Sequence, residues 1–288
     1  MLTFVERLNR TQIRQLERLL SQCKKKDGNT IPVYQQIITK PRELACNALY
    51  YQDRELVGFL AVFFFYENAC EISLMVAPHC RGRGIGRELL ASILFLLDNS
   101  AIDSLVFSAP HQVANPFLER CHAEYLHSEF AMERKNTKLE TLPDNPLRIR
   151  TATERDIPFM CALDKVCFNG GDADMANQLE LILRDKNRTV FIALLNDRPV
   201  AKAHVYWDQS VARFSDIAVL PEAQGKGYGR ALIAYCINHA LKQQKRVLHL
   251  DVEAQNQNAL RLYASLGFKV VNAYDFWRVS LDILQKRS

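Results

Sequence analysis

The chain has no cysteines at CxxC spacing, no Cys/His set spaced like a zinc site, no apolar run that could cross a bilayer, and no block of like charge beyond Lys24 to Lys26. Each lack removes a class of protein. The eight cysteines (23, 46, 70, 80, 121, 161, 167 and 236) sit partly inside apolar runs, where cysteine behaves as a small hydrophobe, so reduced thiols in a cytoplasm and no metal are expected. The longest apolar run, Val57 to Tyr66, falls well short of the roughly 20 residues a spanning helix needs. The amino terminus is charged throughout and lacks the apolar core of a signal peptide. With 37 Lys and Arg scattered against 32 Asp and Glu there is no basic stripe, so neither a nucleic-acid nor a membrane partner is expected. A small anionic ligand is enough to account for the excess.

What the chain does have is length and an internal repeat. Its 288 residues, 48% hydrophobic, suffice for two cores. The run Val76-Ala-Pro-His-Cys-Arg-Gly-Arg-Gly-Ile-Gly-Arg-Glu-Leu-Leu lies over Val219-Leu-Pro-Glu-Ala-Gln-Gly-Lys-Gly-Tyr-Gly-Arg-Ala-Leu-Ile without a gap, 143 residues apart (81 to 224). A spacing one residue larger carries Asp53-Arg54 onto Asp197-Arg198 in a polar turn between strands. Between the copies, "ERKNTKLETLPDNPL" is polar and contains two prolines. The reading is therefore a first domain over 1–140, a linker over 141–146 and a second domain over 147–288.

Hydrophobic periodicity predicts the same element order in each copy. In the second these are a strand at Leu147 to Arg150, a helix carrying Ile157, Met160, Cys161, Leu163 and Val166, a helix from Met175 to Leu183, and strands at Thr189 to Leu195, Val200 to Trp207 and Val211 to Val219. The glycine loop, a helix from Gly229 to Gln243, a strand at Val247 to Val252, a helix from Asn256 to Leu266 and a final strand pair follow. The first copy has a strand at Thr3 to Glu6, a helix from Thr11 to Lys25, strands through Val76, a helix from Arg87 to Asp98 and a strand from Ser104 to Ser108. Strands that meander and then alternate with helices indicate an α+β fold, a mixed and mostly antiparallel sheet flanked by helices in a three-layer α/β/α arrangement.

The glycine loop is built for an anion. A helix start presents unpaired N–H groups and the positive end of the helix dipole, and small residues let the backbone come close. Gly225, Gly227 and Gly229, with Lys226 and Arg230 among them, imply a phosphate or pyrophosphate cradle. It is not a Walker A loop, because Gly227 rather than Ser or Thr follows Lys226. Nor is it a dinucleotide fingerprint, because Arg230 stands where the third glycine is required.

The pattern Gln224-x-x-Gly227-x-Gly229, and Arg81-x-x-Gly84-x-Gly86 before it, resembles the acetyl-CoA loop of the GNAT family of N-acetyltransferases. Downstream, Asn256-x-x-Ala259-x-x-Leu262-Tyr263-x-x-x-Gly267-Phe268 resembles the family's second CoA-side motif. The resemblance covers essentially the whole chain as two tandem GNAT-like domains. It implies direct transfer of an acetyl group from acetyl-CoA, used as cosubstrate, to a primary amine of a small molecule or peptide. It further implies that Ala218, Val219, Gln224, Gly225, Lys226, Gly227, Tyr228, Gly229, Arg230 and Asn256 hold CoA in the second copy. In the first, Val76, Arg81, Gly82, Arg83, Gly84, Ile85, Gly86 and Arg87 would do so.

By the same resemblance the Val219 N–H polarises the thioester carbonyl and Tyr263 meets the departing thiolate. From periodicity alone Tyr263 is equally a packing aromatic, and Asn256 a helix N-cap. The amine must lose a proton, and Asp216, His249, Asp251 and Glu253 are candidates; Glu253 and Asp216 are preferred. Aligning Asn115 on Asn256 puts His122 where Tyr263 stands, so the second half of the first copy departs from the motif, with His122 or Tyr125 as substitutes. Two alternatives stay open: a mycothiol-synthase-like small-amine acetyltransferase, and a CoA-binding or sensing protein that does not turn over. The oligomeric state is not legible.

Overall fold

The structure is a computed structural model that describes residues 1–94, 97, 101–142, 146–168 and 174–285. By internal contacts the chain groups into two compact units, Met1–Phe130 with Asn272–Ser288, and Ala131–Val271. Residues 272–285 thus group with the first unit, although the sequence division places them in the second domain. Part of the expected linker, 143–145, lies outside the described residues.

In the first unit β1 (Leu2–Val5) leads to α1 (Arg10–Asp27), the short α2 (Gln35–Ile38), β2 (Asn47–Gln52), β3 (Glu55–Phe63) and β4 (Ala69–Val76). Then come α3 (Ile85–Leu94), β5 (Ser104–Pro110), α4 (Pro116–Arg120) and β6 (Glu124–Arg134). The expected end of the α3 helix at Asp98 falls outside the described residues. A capping box starts α1: the Asn9 side chain accepts from the Thr11 and Gln12 N–H groups at 2.9 Å, and Gln12 Oε1 accepts from the Asn9 N–H. Strands β1 to β4 pair antiparallel in order, and β4 pairs parallel with β5. Helix α3 packs over Gly58, where a Cβ would meet Ile85 and Leu89 at 2.9 Å, while α1 covers the opposite face with Leu16, Leu19 and Cys23.

The second unit follows the same order: β7 (Leu147–Thr151), α5 (Ile157–Cys167), α6 (Met175–Arg184), β8 (Arg188–Leu195), β9 (Arg198–Trp207), β10 (Val211–Val219), α7 (Tyr228–Lys242), β11 (Val247–Glu253) and α8 (Gln257–Ser265). Asp156 ties the start of α5, accepting from the Thr153 N–H at 2.7 Å and from both Arg150 Nη atoms at 2.8 Å. Strands β7 to β10 are antiparallel and β10 to β11 parallel. Helices α5 and α6 cover Val190, Ile192 and Leu194, and α7 packs on the other face through Tyr235 against Phe191. Met160 and Leu163 are buried as the periodicity requires, but Val166 is 57% exposed.

Two details of register differ from the sequence reading. The chain closes with one strand, β12 (Lys269–Ser280), followed by α9 (Leu281–Gln285), rather than a strand pair; no Gly or Pro interrupts it. Its residues Tyr274 to Ser280 pair antiparallel with β5, and Val279, Leu281 and Leu284 join the core of the first unit. Second, the two-residue hairpin turns are Asp53–Arg54 and Asn196–Asp197, each with φ positive at both residues. Mirror-image turns of this kind match strand twist. The turns therefore repeat at the same spacing as the glycine loops, and the match of Asp53-Arg54 to Asp197-Arg198 is one residue out of register.

Candidate active site

In each unit the two parallel strands begin paired and then part. Pairing of β4 with β5 runs from Ala69 and Ser104 to Ile72 and Phe107; that of β10 with β11 runs from Val211 and Val247 to Phe214 and Leu250. Beyond those points the strands diverge, and the far end of β10 is left open along one edge. Val219 is opposite Ala201 on the other edge, and the Leu220 N–H donates to the Val200 carbonyl at 2.9 Å. By the alternation of an antiparallel ladder, the Val219 N–H and C=O both point into the split. The Ala77 N–H does the same with Val57 at 2.8 Å, so Val76 has the same orientation in the first unit.

The split is furnished alike in both units. Gln224 Nε2 donates to the Val219 carbonyl at 3.0 Å, and Arg81 Nε to the Val76 carbonyl at 3.1 Å. A thiol from the preceding helix reaches each carbonyl too, Cys167 Sγ and Cys23 Sγ both at 3.6 Å. With the carbonyl occupied, the N–H is the polar group of that residue left to face a ligand.

The loop glycines fall into two kinds. Gly225 and Gly227 have φ of 73° and 79°, and Gly227 caps α7 in the left-handed region, so the backbone itself calls for glycine. Gly229 lies inside α7 with ordinary φ, and an added Cβ would meet only Val219 and Leu262 at 3.6 and 3.8 Å. Neither the fold nor its packing requires glycine there. Gly86 repeats the pattern, its Cβ position 3.8 Å from Val76. A helix position that is free to hold alanine but holds glycine, twice, fits close approach of a ligand to the helix start. Gln224, Gly225, Lys226 and Gly227 are exposed and Tyr228, Gly229 and Arg230 half-buried; Arg81, Gly82, Arg83, Gly84 and Arg87 are exposed, while the Ile85 and Ala218 side chains are buried. Lys226 Nζ donates to the Glu222 carbonyl at 2.9 Å and Arg230 to Ser265 Oγ at 2.6 Å, which leaves backbone N–H groups as the main anion donors of this loop. In the first unit Arg81 is held by Asp27 at 2.6 Å, and Arg83 and Arg87 supply the charge. A cavity of about 860 Å³ lies against this loop, lined by Cys23, Val76, Arg81 to Arg87 and Asn115 among others.

The second motif separates the units. Asn256 and Asn115 both cap helices, accepting from the Ala259 N–H at 3.0 Å and from the Phe117 N–H at 3.2 Å. Helix α8 ends with the Gly267 N–H donating to Ala264 and the Phe268 N–H to Tyr263; α4 ends identically, the His122 N–H to Glu119 and the Ala123 N–H to Leu118. His122 (φ 50°) is thus the counterpart of Gly267 (φ 83°), and Leu118 is the counterpart of Tyr263. The alignment from Asn115 put His122 opposite Tyr263 because α4 is shorter. Neither expected substitute fills the tyrosine's place: His122 is exposed, and Tyr125, 45% exposed, bonds Ser128 Oγ at 2.8 Å. Tyr263 is 7% exposed, and burial pushes its hydroxyl up to about 12.

The candidate bases occupy the diverging ends. Glu253 is the last, exposed residue of β11, and His249 Nε2 lies 3.2 Å from Asp251 Oδ2 on the same face. Asp216 sits in a β-bulge of β10 between Ser215 and Ala218, with φ of 49°. Its carboxylate, 48% exposed, lies 3.4 Å from Nδ1 of His204, a residue the sequence reading passed over. His204 and Lys202 lie buried on β9 beneath α5, and Lys202 Nζ donates to Asp164 Oδ2 at 2.6 Å. In the register set by the hairpin turns they correspond to Phe59 and Ala61 of the first unit. Among the described residues no group of three or more His, Cys, Asp or Glu is placed to hold a metal ion, and no helix is long and apolar enough to cross a membrane.

A family model described as the acetyltransferase (GNAT) family matches residues 12–123 and again 157–268. A mycothiol acetyltransferase of Actinosynnema mirum is 24% identical over 284 residues, covering 93% of this chain and 95% of that protein. An uncharacterized N-acetyltransferase of Methanocaldococcus jannaschii is 31% identical over 104 residues, and this match spans about half of that protein (46%) and 34% of this chain. Among solved structures, a GCN5-related N-acetyltransferase from Sphaerobacter thermophilus superposes with a TM-score of 0.76 at 16% identity, covering 93% of this chain and 92% of that one.

Proposed function

The chain belongs to the acetyltransferase (GNAT) family, and from that premise we propose that its second unit transfers an acetyl group from acetyl-CoA directly to a primary amine of a small molecule or peptide. The observation that carries the choice of unit is Tyr263, a buried phenol at a helix position where the first unit has Leu118. The loop from Gln224 to Arg230 would take the CoA phosphates on its N–H groups, and the Val219 N–H would polarise the thioester carbonyl.

An alkyl amine of pKa about 10.4 arrives protonated. It gives up one proton to a carboxylate at the diverging strand ends, Glu253 or Asp216, directly or through water. The neutral nitrogen then bonds to the thioester carbon, the C–S bond breaks, and the second N–H proton passes to the departing sulfur, which Tyr263 meets with a hydrogen bond, so that amide and CoA thiol are the products. Burial keeps that phenol protonated and penalises the tyrosinate, so hydrogen-bond donation to the departing sulfur is a large part of its role. The measurement that tests this reading is release of CoA thiol from acetyl-CoA with a panel of primary amines: wild type turns over at least one, and Tyr263→Phe is much slower. Saturable acetyl-CoA binding with no thiol release from any amine would leave a CoA-binding protein instead.

The 860 Å³ cavity beside Arg81 to Arg87 favours a second role, CoA binding by the first unit without turnover. Coverage of both sequences by the Actinosynnema mirum match supports a narrower acceptor, of the kind named for that mycothiol acetyltransferase. Eight free thiols, six of them buried, fit a reducing compartment, and we place the activity in the cytoplasm.

A further inference from the structure

A chain of four ionisable groups, Lys202 and His204 buried at its centre, runs from Asp164 to the exposed Asp216 at the open end of β10. Lys202, with no exposed surface, donates to Asp164 Oδ2 at 2.6 Å and to His204 Nε2 at 3.3 Å. His204, 4% exposed, turns Nδ1 toward Asp216 Oδ2 at 3.4 Å. Among the described residues, His204 Nδ1 and Asp164 Oδ1 are buried without a hydrogen bond. An ammonium can only donate, so His204 Nε2 accepts and the neutral ring carries its proton on Nδ1, facing Asp216. Burial pushes His204 down to about 4, against the pull of Asp216, so the ring is neutral at pH 7. The four groups then sum to one negative charge, and its exposed end is Asp216.

The fold does not need this chain, because the first unit does without it. Phe59 and Ala61 stand in place of Lys202 and His204. Leu20 stands in place of Asp164 by the register of Cys23 and Cys167, which make the same thiol contact. Strand β4 pairs with β3 in unbroken register, so Asp216, the bulged residue, has no counterpart at all. Burying an ion costs several kcal/mol even after relaxation, and a bulge with a non-glycine residue at positive φ adds strain. Such costs persist where they serve a site.

We propose that Asp216 is the seat of the acceptor's ammonium group, with His204, Lys202 and Asp164 as positioning residues that fix its carboxylate at the mouth of the split. Asp216 lies three residues before Val219, at most about 10 Å along the strand. An amine attacking a carbonyl held by the Val219 N–H stands about 6 Å from that nitrogen, one hydrogen bond plus one near-attack distance. Both therefore fall in the same part of the split. Crowding works to raise the Asp216 carboxyl, while a hydrogen bond from Ser215 and the charges of Lys202 and Arg188 pull it down, and beside the neutral His204 ring it stands as the anion of the group. With Asp216 engaged as the ammonium's counter-ion, Glu253 is the one of the two candidate carboxylates left to take the proton, directly or through water. The acceptor class is accordingly an alkyl ammonium rather than an aryl amine that is neutral at pH 7. This inference rests on the acyltransfer reading of the same unit.

The test uses the full chain as wild type, as Asp216→Asn, and as the triple variant Asp164→Leu, Lys202→Phe, His204→Ala, which installs the first unit's residues. Acceptor probes are ethylamine, 2-phenylethylamine and glucosamine as cations, with aniline as the neutral amine. Asp216→Asn should raise KM for the cationic probes about tenfold or more and so shift the alkyl-to-aryl ratio of kcat/KM toward aniline, with KM for acetyl-CoA nearly unchanged. The triple variant should move the same alkyl-to-aryl ratio in the same direction, a change that mere loosening of the fold does not produce. An unchanged ratio in Asp216→Asn overturns the site, even if the triple variant fails to fold. If wild type releases no thiol with any probe, calorimetric titration of 2-phenylethylammonium decides: binding that Asp216→Asn abolishes keeps the site and removes the acyltransfer reading, and no binding to wild type removes the site.

Discussion

A methyl group placed on Gly229 would rest 3.6 Å from Cγ2 of Val219, an ordinary contact. Alanine is favoured over glycine by up to about 1 kcal/mol within a helix, so the free protein would gain from the change. We predict that Gly229→Ala holds or raises the melting temperature while weakening acetyl-CoA binding about tenfold, because a methyl then occupies the approach to the helix start. Gly227→Asp should weaken it further by adding negative charge and forcing a non-glycine residue to φ of 79°. Isothermal titration with acetyl-CoA, on protein whose first-unit loop carries Gly86→Asp, reads the second unit alone. Unchanged affinity in Gly229→Ala would mean the loop holds something else.

Tyr263 invites a sharper separation of chemistry from packing. Its ring lies 6.1 Å from Phe268 and stays packed in Tyr263→Phe, so stability should change by less than about 1 kcal/mol. Loss of the hydroxyl should lower kcat about 10- to 100-fold and leave KM for acetyl-CoA within a few-fold. Steady-state kinetics at saturating amine measures both. A parallel loss in kcat and in acetyl-CoA affinity would make Tyr263 a packing residue.

The contrast between the two copies shows what the sequence could carry and where it stopped. The glycine loops and the Asn256 cap were legible because each is local: a few residues whose types answer to one turn or one helix start. The equivalence of Tyr263 with Leu118 was not, because it depends on how each helix ends, and α4 is shorter than α8. Lys202 and His204 carry no motif of their own, and their correspondence to Phe59 and Ala61 follows only from the hairpin turns, with positive φ at Asp53–Arg54 and Asn196–Asp197, that fix the register. The partnership of Asp164 with Lys202 joins a helix to a strand 38 residues away, and no local pattern announces it.

Glu71 provides a prediction about pH. It is 2% exposed on β4, accepts a hydrogen bond from the Tyr34 hydroxyl at 2.9 Å, and burial pushes its carboxyl up to about 7 from 4.5. The folded form thus holds this proton more tightly than the unfolded form. Its contribution to stability is present at low pH and is lost as pH rises from 4.5 through 7, by up to about 3 kcal/mol. Glu71→Gln keeps the acceptor for Tyr34 and removes the titration. Calorimetric melts should show the variant more stable than wild type at pH 8, with the difference vanishing near pH 4.5. A difference independent of pH would place the effect in packing.

The last strand of the chain completes the first unit, and that too can be measured. Tyr274 to Ser280 pair with Ser104 to Pro110 in seven-residue register, and Asn272 exchanges hydrogen bonds with the Thr30 backbone at 2.9 and 2.8 Å. Val279, Leu281 and Leu284 are buried in that unit's core. At about 1.5 to 3 kcal/mol for each buried aliphatic side chain, these three alone approach the whole margin of a typical domain, about 5 to 15 kcal/mol. A chain ending at Val271 should therefore lose protection from hydrogen exchange throughout β5 and β4, and a synthetic peptide of residues 272–288 added in excess should restore it. Second-unit amides in β8 and β9 should stay protected in the truncated chain, since their partners β7 and β10 are intact. Retention of wild-type protection at Leu105 to Phe107 after truncation would show that β12 does not close the first unit.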